Sequence, residues 1–294
     1  MGTADLVPGV SGGTIALLFG IYDELLYTVK LMTGSIPKLV LAGKLKQAYR
    51  LTPFGFLLPL GAGLASAIFG LVHIVSFLLE TQPVIVWALF FGLVFGSACV
   101  VSRRITKWTV RRGLLLVLGF ALTFILVGLP SMGGSTTPPA VFATGALAIV
   151  AMILPGISGS LIMVLLGQYE MIIHAVADRD FFILGVFAAG AILGLAVFVR
   201  LLTWLMKHHH MAVIAFLIGV MAGSLRRIWP WQVSDANGDV ANVLPALDPA
   251  LLVAIVVMCG GFVAVVILER VGIAREHVDI DTREFKREFE EIEG

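Results

Sequence analysis

Long apolar runs separated by short polar segments dominate the pattern of this chain. A helix needs about 20 residues to cross the hydrocarbon core of a bilayer. Apolar runs close to that length cover residues 54–79, 84–101, 113–129, 181–206, 211–225 and 249–269. The pattern therefore predicts an all-α polytopic membrane protein with six transmembrane helices.

Two further apolar segments contain the same polar break. Residues 4–23 and residues 151–170 align without a gap, and nine of the twenty positions are identical. The identical positions are Ala4/Ala151, Pro8/Pro155, Gly9/Gly156, Ser11/Ser158, Gly12/Gly159, Ile15/Ile162, Leu18/Leu165, Gly20/Gly167 and Tyr22/Tyr169. A Pro-Gly-x-Ser-Gly break that occurs once in each half of a membrane chain points to a binding site built from internal repeats.

The repeat continues beyond this motif. Residues 88–97 match residues 215–224 at a shift of 127, and the same shift places His73 on Arg200. We therefore expect two repeats, 1–130 and 140–269, each made of one hairpin and three spans.

The placement of Lys and Arg predicts how the repeats are oriented, because basic loops stay cytoplasmic. The basic segments 23–53 and 103–112 predict a cytoplasmic side. If the second motif enters from outside and turns back, Lys207 and the charged tail 270–294 also lie inside. This arrangement predicts two inverted repeats and a cytoplasmic C-terminus.

Each motif is accordingly predicted to be a re-entrant helical hairpin, over about residues 1–22 and about residues 140–170. The inbound arm of the second hairpin runs from Ala140 to Leu154, whereas only seven residues precede Pro8. We expect the chain to begin part-way through its first hairpin.

Composition places the chain in a membrane. It is 59% hydrophobic and 13% charged, its mean hydropathy is +1.01, and its formal net charge is +1. Such a balance is far from that of a soluble domain, and it gives no reason to expect nucleic acid as a partner. Cys99 and Cys259 lie inside apolar runs and are interpreted as packing residues. No motif for a metal or a cofactor is present.

The chemistry of the breaks favours an anion. Pro8, Gly9, Pro155 and Gly156 interrupt helices and free backbone groups, which hydrocarbon does not tolerate unless they are satisfied. Short helices are predicted to begin near Thr14 and Ser160, and their first N–H groups attract phosphate or carboxylate. The candidate phosphate-binding residues are Ser11, Gly12, Gly13, Thr14, Ser158, Gly159 and Ser160. Alternatively, the breaks are packing kinks whose serines cap the freed backbone.

Ionisable residues within the apolar segments are candidates for headgroup binding or ion coupling, because charge is expensive in a membrane. These are Asp5, His73, Glu170, Arg200 and Arg226. Their alternative roles are structural, namely surface exposure, packing, or extension of the charged group toward the interface.

The chain resembles a bacterial membrane family, formerly a domain of unknown function, now described as polyprenyl-phosphate transporters. The resemblance rests on Asp5-x-x-Pro8-Gly9-Val10-Ser11-Gly12-Gly13-Thr14, Gly20-Ile21-Tyr22-Asp23, Pro155-Gly-Ile-Ser-Gly-Ser160, Gly167-Gln-Tyr169, Gly223-Ser-Leu-Arg226 and Trp229-Pro-Trp231. It implies a flippase of the bacterial cytoplasmic membrane. Its implied substrate is undecaprenyl phosphate, which would return from the outer to the inner leaflet for envelope polymer synthesis.

The expected mechanism places the phosphate between the two hairpin tips while the tail stays among membrane lipids, and alternating access exposes the site to each leaflet. H⁺ or Na⁺ remain open as coupling ions. Two rival functions are a transporter or channel for a small anion and a lipid-phosphate phosphatase. The phosphatase is disfavoured because the chain lacks a clear cluster of His, metal-binding carboxylates and basic clamps.

Overall fold

A computed structural model describes residues 11–131, 133–234, 240–247 and 249–276, and within these ranges the fold is helical apart from one β-hairpin. The twelve described helices are α1 Gly12–Leu18, α2 Tyr22–Thr33, α3 Ser35–Leu41, α4 Leu45–Leu51, α5 Phe54–Thr81, α6 Pro83–Ser102, α7 Val110–Leu126, α8 Pro138–Ile153, α9 Gly159–Leu165, α10 Tyr169–Ala177, α11 Phe181–Ser224 and α12 Pro249–Glu276. The hairpin pairs β1 Gln232–Ser234 with β2 Val240–Asn242 in antiparallel register. The predicted all-α class is confirmed.

Several of these helices are suited to a membrane by length and composition. Within the described ranges, α6, α11 and residues 249–270 of α12 are long and apolar enough to cross. The pair α9 and α10 also passes as one unit, but it bends by 110° at a short break, as in a broken span or a re-entrant loop. These helices, with the composition, make this a membrane protein.

One long helix covers two of the predicted spans. The segment 181–206 and all but the last residue of the segment 211–225 lie in α11. This helix is 44 residues long and has one non-helical residue, His209, with φ −137° and ψ 36°. Neither Pro nor Gly occurs between Leu195 and Phe216, so no helix-breaking residue separates the two predicted spans. The kink gives α11 an N-terminal arm, 181–208, and a C-terminal arm, 210–224.

Glycines mark the closest helix crossings, and the crossings recur in both halves. A Cβ built on Gly92 of α6 would lie 2.0 Å from the carbonyl oxygen of Met258 in α12. A Cβ on Gly219 of α11 would lie 2.0 Å from the carbonyl oxygen of Leu116 in α7. The two glycines are 127 residues apart, and their two partners are 142 residues apart.

The reverse contacts obey the same two shifts. A Cβ on Gly119 would approach the Phe216 carbonyl oxygen to 2.3 Å, and a Cβ on Gly261 would approach that of Leu89 to 2.6 Å. The last helix of each half therefore packs against the preceding helix of the other half. Small residues permit such crossings between membrane helices. The internal correspondence thus extends to α7 and α12, where the motif comparison had not detected it.

Candidate functional site

The first tip, meaning Ser11 and the start of α1 that follows it, is built around Ser11, which is only 1% exposed. Its Oγ accepts a hydrogen bond from the Gly13 N–H at 3.1 Å, as expected of a helix N-cap. The hydroxyl in turn donates toward the carbonyl oxygens of Met152 at 3.3 Å and Leu154 at 3.1 Å. Ser11 therefore joins the start of α1 to the end of α8.

Tyr22 completes this junction. Its hydroxyl donates to the Ile153 carbonyl oxygen at 3.2 Å, so the side chains of Ser11 and Tyr22 reach three successive carbonyls at the end of α8. Those carbonyls have no partner within a helix that ends at Ile153. A Cβ on Gly13 would lie 2.6 Å from the same Ile153 oxygen, which explains the glycine there.

The second break is shaped by Pro155 and Gly156. Leu154 is extended, as a residue before proline prefers, and α8 stops there. Gly156 has φ +93°, and a Cβ on it would lie 2.9 Å from Ser224 Oγ and 3.0 Å from Met221 Cα. Only glycine combines this backbone conformation with so close a contact to α11. The break is thereby held against the C-terminal arm of α11.

The second tip differs from the first in what its polar groups contact. Ser158 precedes α9, and its Oγ lies 2.6 Å from Ser160 Oγ, so the two hydroxyls bond to each other. Gly159 packs on α8, where a Cβ would lie 2.8 Å from the Ala148 carbonyl oxygen. Tyr169, the counterpart of Tyr22, is 39% exposed, and its hydroxyl bonds to no described residue. The second tip is therefore the more open one.

Both tips line one cavity of about 290 Å³. The hydroxyl groups in its lining belong to Ser11, Ser158 and Ser160, and its apolar wall comes largely from α8 and α11, including Ile149 and Phe187. This volume lies at the lower end of the range for small-molecule sites. A few hydroxyl groups in an otherwise apolar lining suit a ligand with a polar head and an apolar chain.

Thr14 adds a buried polar atom behind Ser11. Its side chain is 1% exposed, and its Oγ1 has no hydrogen-bond partner among the described atoms. Its backbone N–H donates to the Ser11 carbonyl oxygen at 3.0 Å. Because an unpaired buried hydroxyl is costly, a polar ligand or water at this tip would stabilise it.

The structure brings Ser11, Ser158, Gly159 and Ser160 together at the cavity, while Gly12, Gly13 and Thr14 are buried around the first tip. Pro155 and Gly156 form the second break. The predicted residues Asp5, Pro8 and Gly9 lie outside the described residues. The His73 backbone is in α5, but its side chain is outside the described part.

The three remaining candidates are not among the described residues that line the cavity. Glu170 is exposed in the first turn of α10. Arg200 is exposed, with its guanidinium near Gly34 at the end of α2. Arg226 donates from Nη1 to the Phe124 carbonyl oxygen at 2.9 Å and lies over the Phe124 ring, 4.6 Å from its centroid. These two contacts of the guanidinium are thus at the end of α7.

Arg104 is a residue that sequence inspection missed. Its guanidinium donates to the carbonyl oxygens of Leu18 at 2.9 Å and Leu17 at 3.4 Å, at the end of α1. A cation is favourable at the negative end of a helix. Arg104 sits in a cluster of basic residues that already signalled a cytoplasmic loop, so no pattern set it apart.

Replacing Arg104 by methionine is expected to destabilise α1, because the last carbonyls of this helix lose their charged partner. Since Arg104 is exposed, we expect a loss of about 1 kcal/mol. The measurement is the Tm of the purified protein in detergent. Arg103→Met is the matched control, since Arg103 makes no hydrogen bond to described residues of α1; an equal Tm change in both variants would contradict the assignment.

Comparison with known proteins gives one family match and two relatives. The family described as VCA0040-like, undecaprenyl phosphate translocase-like, matches residues 1–244. The chain is 39% identical over 232 residues to a polyprenyl-phosphate transporter of Vibrio cholerae, and the aligned region covers 79% of this chain and 75% of that protein. It is 29% identical over 250 residues to a polyprenyl-phosphate transporter of Staphylococcus aureus, covering 78% and 83%. No solved structure matches the chain.

Proposed function

The chain belongs to the undecaprenyl phosphate translocase-like family, and from this premise we propose that it carries undecaprenyl phosphate across the bacterial cytoplasmic membrane. The single observation that carries the proposal is the cavity that Ser11 of one tip lines together with Ser158 and Ser160 of the other. The names of its relatives support a transporter of this lipid class. They give no support to an enzyme.

In this proposal the second tip binds the phosphate. Ser158 and Ser160 line the cavity and have only each other as hydroxyl partners, so both are free to turn toward phosphate oxygens. No described basic residue lines the cavity. The negative charge is therefore met by hydroxyls and by N–H groups of the break, in a site of low dielectric where such bonds are strong.

The apolar wall receives the first part of the polyprenyl chain. Ile149 and Met152 of α8 line the cavity together with Phe187 and Ala191 of α11. Apolar surface in this position favours a hydrocarbon chain over water. The rest of the tail remains among membrane lipids, so the path needs an opening at the side of the protein and no closed aqueous channel.

In this proposal the two halves are inverted repeats, the C-terminus is cytoplasmic, and the protein works by alternating access. The lipid moves from the outer to the inner leaflet, where it is reused in envelope polymer synthesis. The interlocked pairs α6–α12 and α7–α11, which recur at constant shifts, support a two-fold relation between the halves. Exchange of conformation between related halves is how such transporters expose one site to each side in turn.

The test is transport by purified protein in liposomes that contain labelled undecaprenyl phosphate, with and without an H⁺ or Na⁺ gradient. We expect protein-dependent movement of the label between leaflets, slowed by unlabelled undecaprenyl phosphate and unaffected by equal inorganic phosphate. Protein-dependent flux of inorganic phosphate instead would support the small-anion alternative. Release of phosphate from the lipid would support a phosphatase.

A further inference from the structure

The first half of the chain holds a segment that the second half lacks. Tyr22, which begins α2, corresponds to Tyr169 of α10 at a shift of 147, whereas Phe54, which begins α5, corresponds to Phe181 of α11 at a shift of 127. The fall in the shift means twenty extra residues between these points in the first half. Helices α3 and α4 lie there, whereas in the second half α10 is joined to α11 by residues 178–180 alone.

This inserted segment, residues 34–53, is basic. It contains Lys38, Lys44, Lys46 and Arg50 and no acidic residue. The short connection of the second half contains Asp178, Arg179 and Asp180 instead. The insertion therefore places a net charge of +4 at one connection, and nothing in the repeat architecture requires it.

The insertion also exposes large apolar side chains. Helix α3 has no buried residue and α4 has only Ala48. Leu41 is 89% exposed, Leu45 64% and Tyr49 69%. The Tyr49 ring packs against that of Phe54, with centroids 5.0 Å apart. Side chains of this kind lie in water only at a cost, so another apolar phase is expected to cover them.

We propose that the insertion lies in the headgroup layer of an anionic leaflet, with Leu41, Leu45 and Tyr49 at the acyl boundary and the basic residues on phospholipid phosphates. Leu45 and Tyr49 are four residues apart on α4 and share a face, and Lys46 and Arg50 form the adjacent face. A helix with apolar and basic faces is typical of an anionic membrane surface. The aromatic pair suits the interface, and lysine stems extend their charges toward the headgroups.

The experiment uses an environment-sensitive NBD label on Leu41→Cys in the full chain, with Cys99 and Cys259 replaced by alanine. The protein is reconstituted in neutral phosphatidylcholine or in mixtures with phosphatidylglycerol. We expect a blue shift that grows with phosphatidylglycerol and weakens in high salt. With Lys38, Lys44, Lys46 and Arg50 all changed to Gln, the anionic fraction that gives the half-maximal shift should rise at least ~fivefold.

A label on Leu118→Cys, an exposed residue in the middle of α7, is the matched control and should be insensitive to lipid charge. A water-like spectrum at Leu41 in every lipid mixture would overturn the proposal, and would leave a protein partner as the occupant. An equal blue shift in neutral and anionic lipid would overturn it as well. The readout involves no transport, so it stands apart from the proposed function.

Discussion

Replacing Gly219 by alanine is expected to disrupt the packing of α11 on α7, and Gly92→Ala should disrupt α6 on α12 to a similar degree. In both cases the new methyl would meet a backbone carbonyl oxygen at 2.0 Å, so the backbone of one of the two packed helices would have to shift. Overpacking of a close crossing costs up to about 3 kcal/mol. The measurement is the Tm of each variant in detergent, with recovery of monodisperse protein as a second readout.

Gly113→Ala and Gly61→Ala are the matched controls, because a Cβ at either position meets nothing within 4 Å. Both lie within helices, where alanine is favoured over glycine by about 0.5–1 kcal/mol. These variants should be as stable as the parent or more so. If Gly92→Ala and Gly219→Ala behaved like the controls, the interlocking of the two halves would be wrong. If only one were damaging, the equivalence of the two crossings would be wrong.

The Ser158→Ala and Ser160→Ala double variant is expected to lose polyprenyl phosphate binding and transport while keeping its Tm. Hydrogen bonds to a charged group contribute about 1.5–3 kcal/mol each. The loss of two corresponds to a fall in affinity of roughly 100-fold or more. Binding is measured by native mass spectrometry with undecaprenyl phosphate, and transport by the liposome assay.

Ser11→Ala is expected to act differently, although Ser11 occupies the same position in the repeat. Its hydroxyl already bonds to the Gly13 N–H and to carbonyls of α8, so its loss leaves buried backbone groups unpaired. This variant should lower stability by about 1–3 kcal/mol. Ser66→Ala is the control, since the Ser66 hydroxyl bonds only to Ala62 of its own helix. For the double variant Ser158→Ala and Ser160→Ala, in contrast, unchanged lipid binding would refute the phosphate site at the second tip.

The two interpretations of the break, a phosphate site and a packing kink capped by serine, thus apply to different tips. At the first tip the serine caps freed backbone, because the end of α8 supplies carbonyls within reach of Ser11 and Tyr22. At the second tip Ser158 and Ser160 face a cavity, and binding of a phosphate there remains the proposal. The same Pro-Gly-x-Ser-Gly motif therefore has different hydrogen-bond partners in the two halves.

Local features were predictable from the sequence because their causes are local. The helices after the breaks were expected near Thr14 and Ser160, and they begin at Gly12 and Gly159. Proline and glycine end a helix wherever they occur, and a serine that follows can cap the next one. The four-residue spacing of Gly92 and Gly96, and of Gly219 and Gly223, also predicts close helix crossings, although the sequence does not identify the partner helices.

By itself, then, the sequence determined the membrane environment, the helical class, the duplicated break and the family, because apolar runs, helix breakers and paired motifs act along the chain. Only the tertiary structure decided which backbone groups the polar and basic side chains contact. Ser11 meets α8, Arg104 meets the end of α1, and Arg226 meets the end of α7. These contacts join residues 86 to 143 positions apart, and their partners are backbone carbonyls, which carry no side-chain signal. Which carbonyl a side chain reaches depends on which helices pack together in the folded chain, and the sequence pattern does not carry that information.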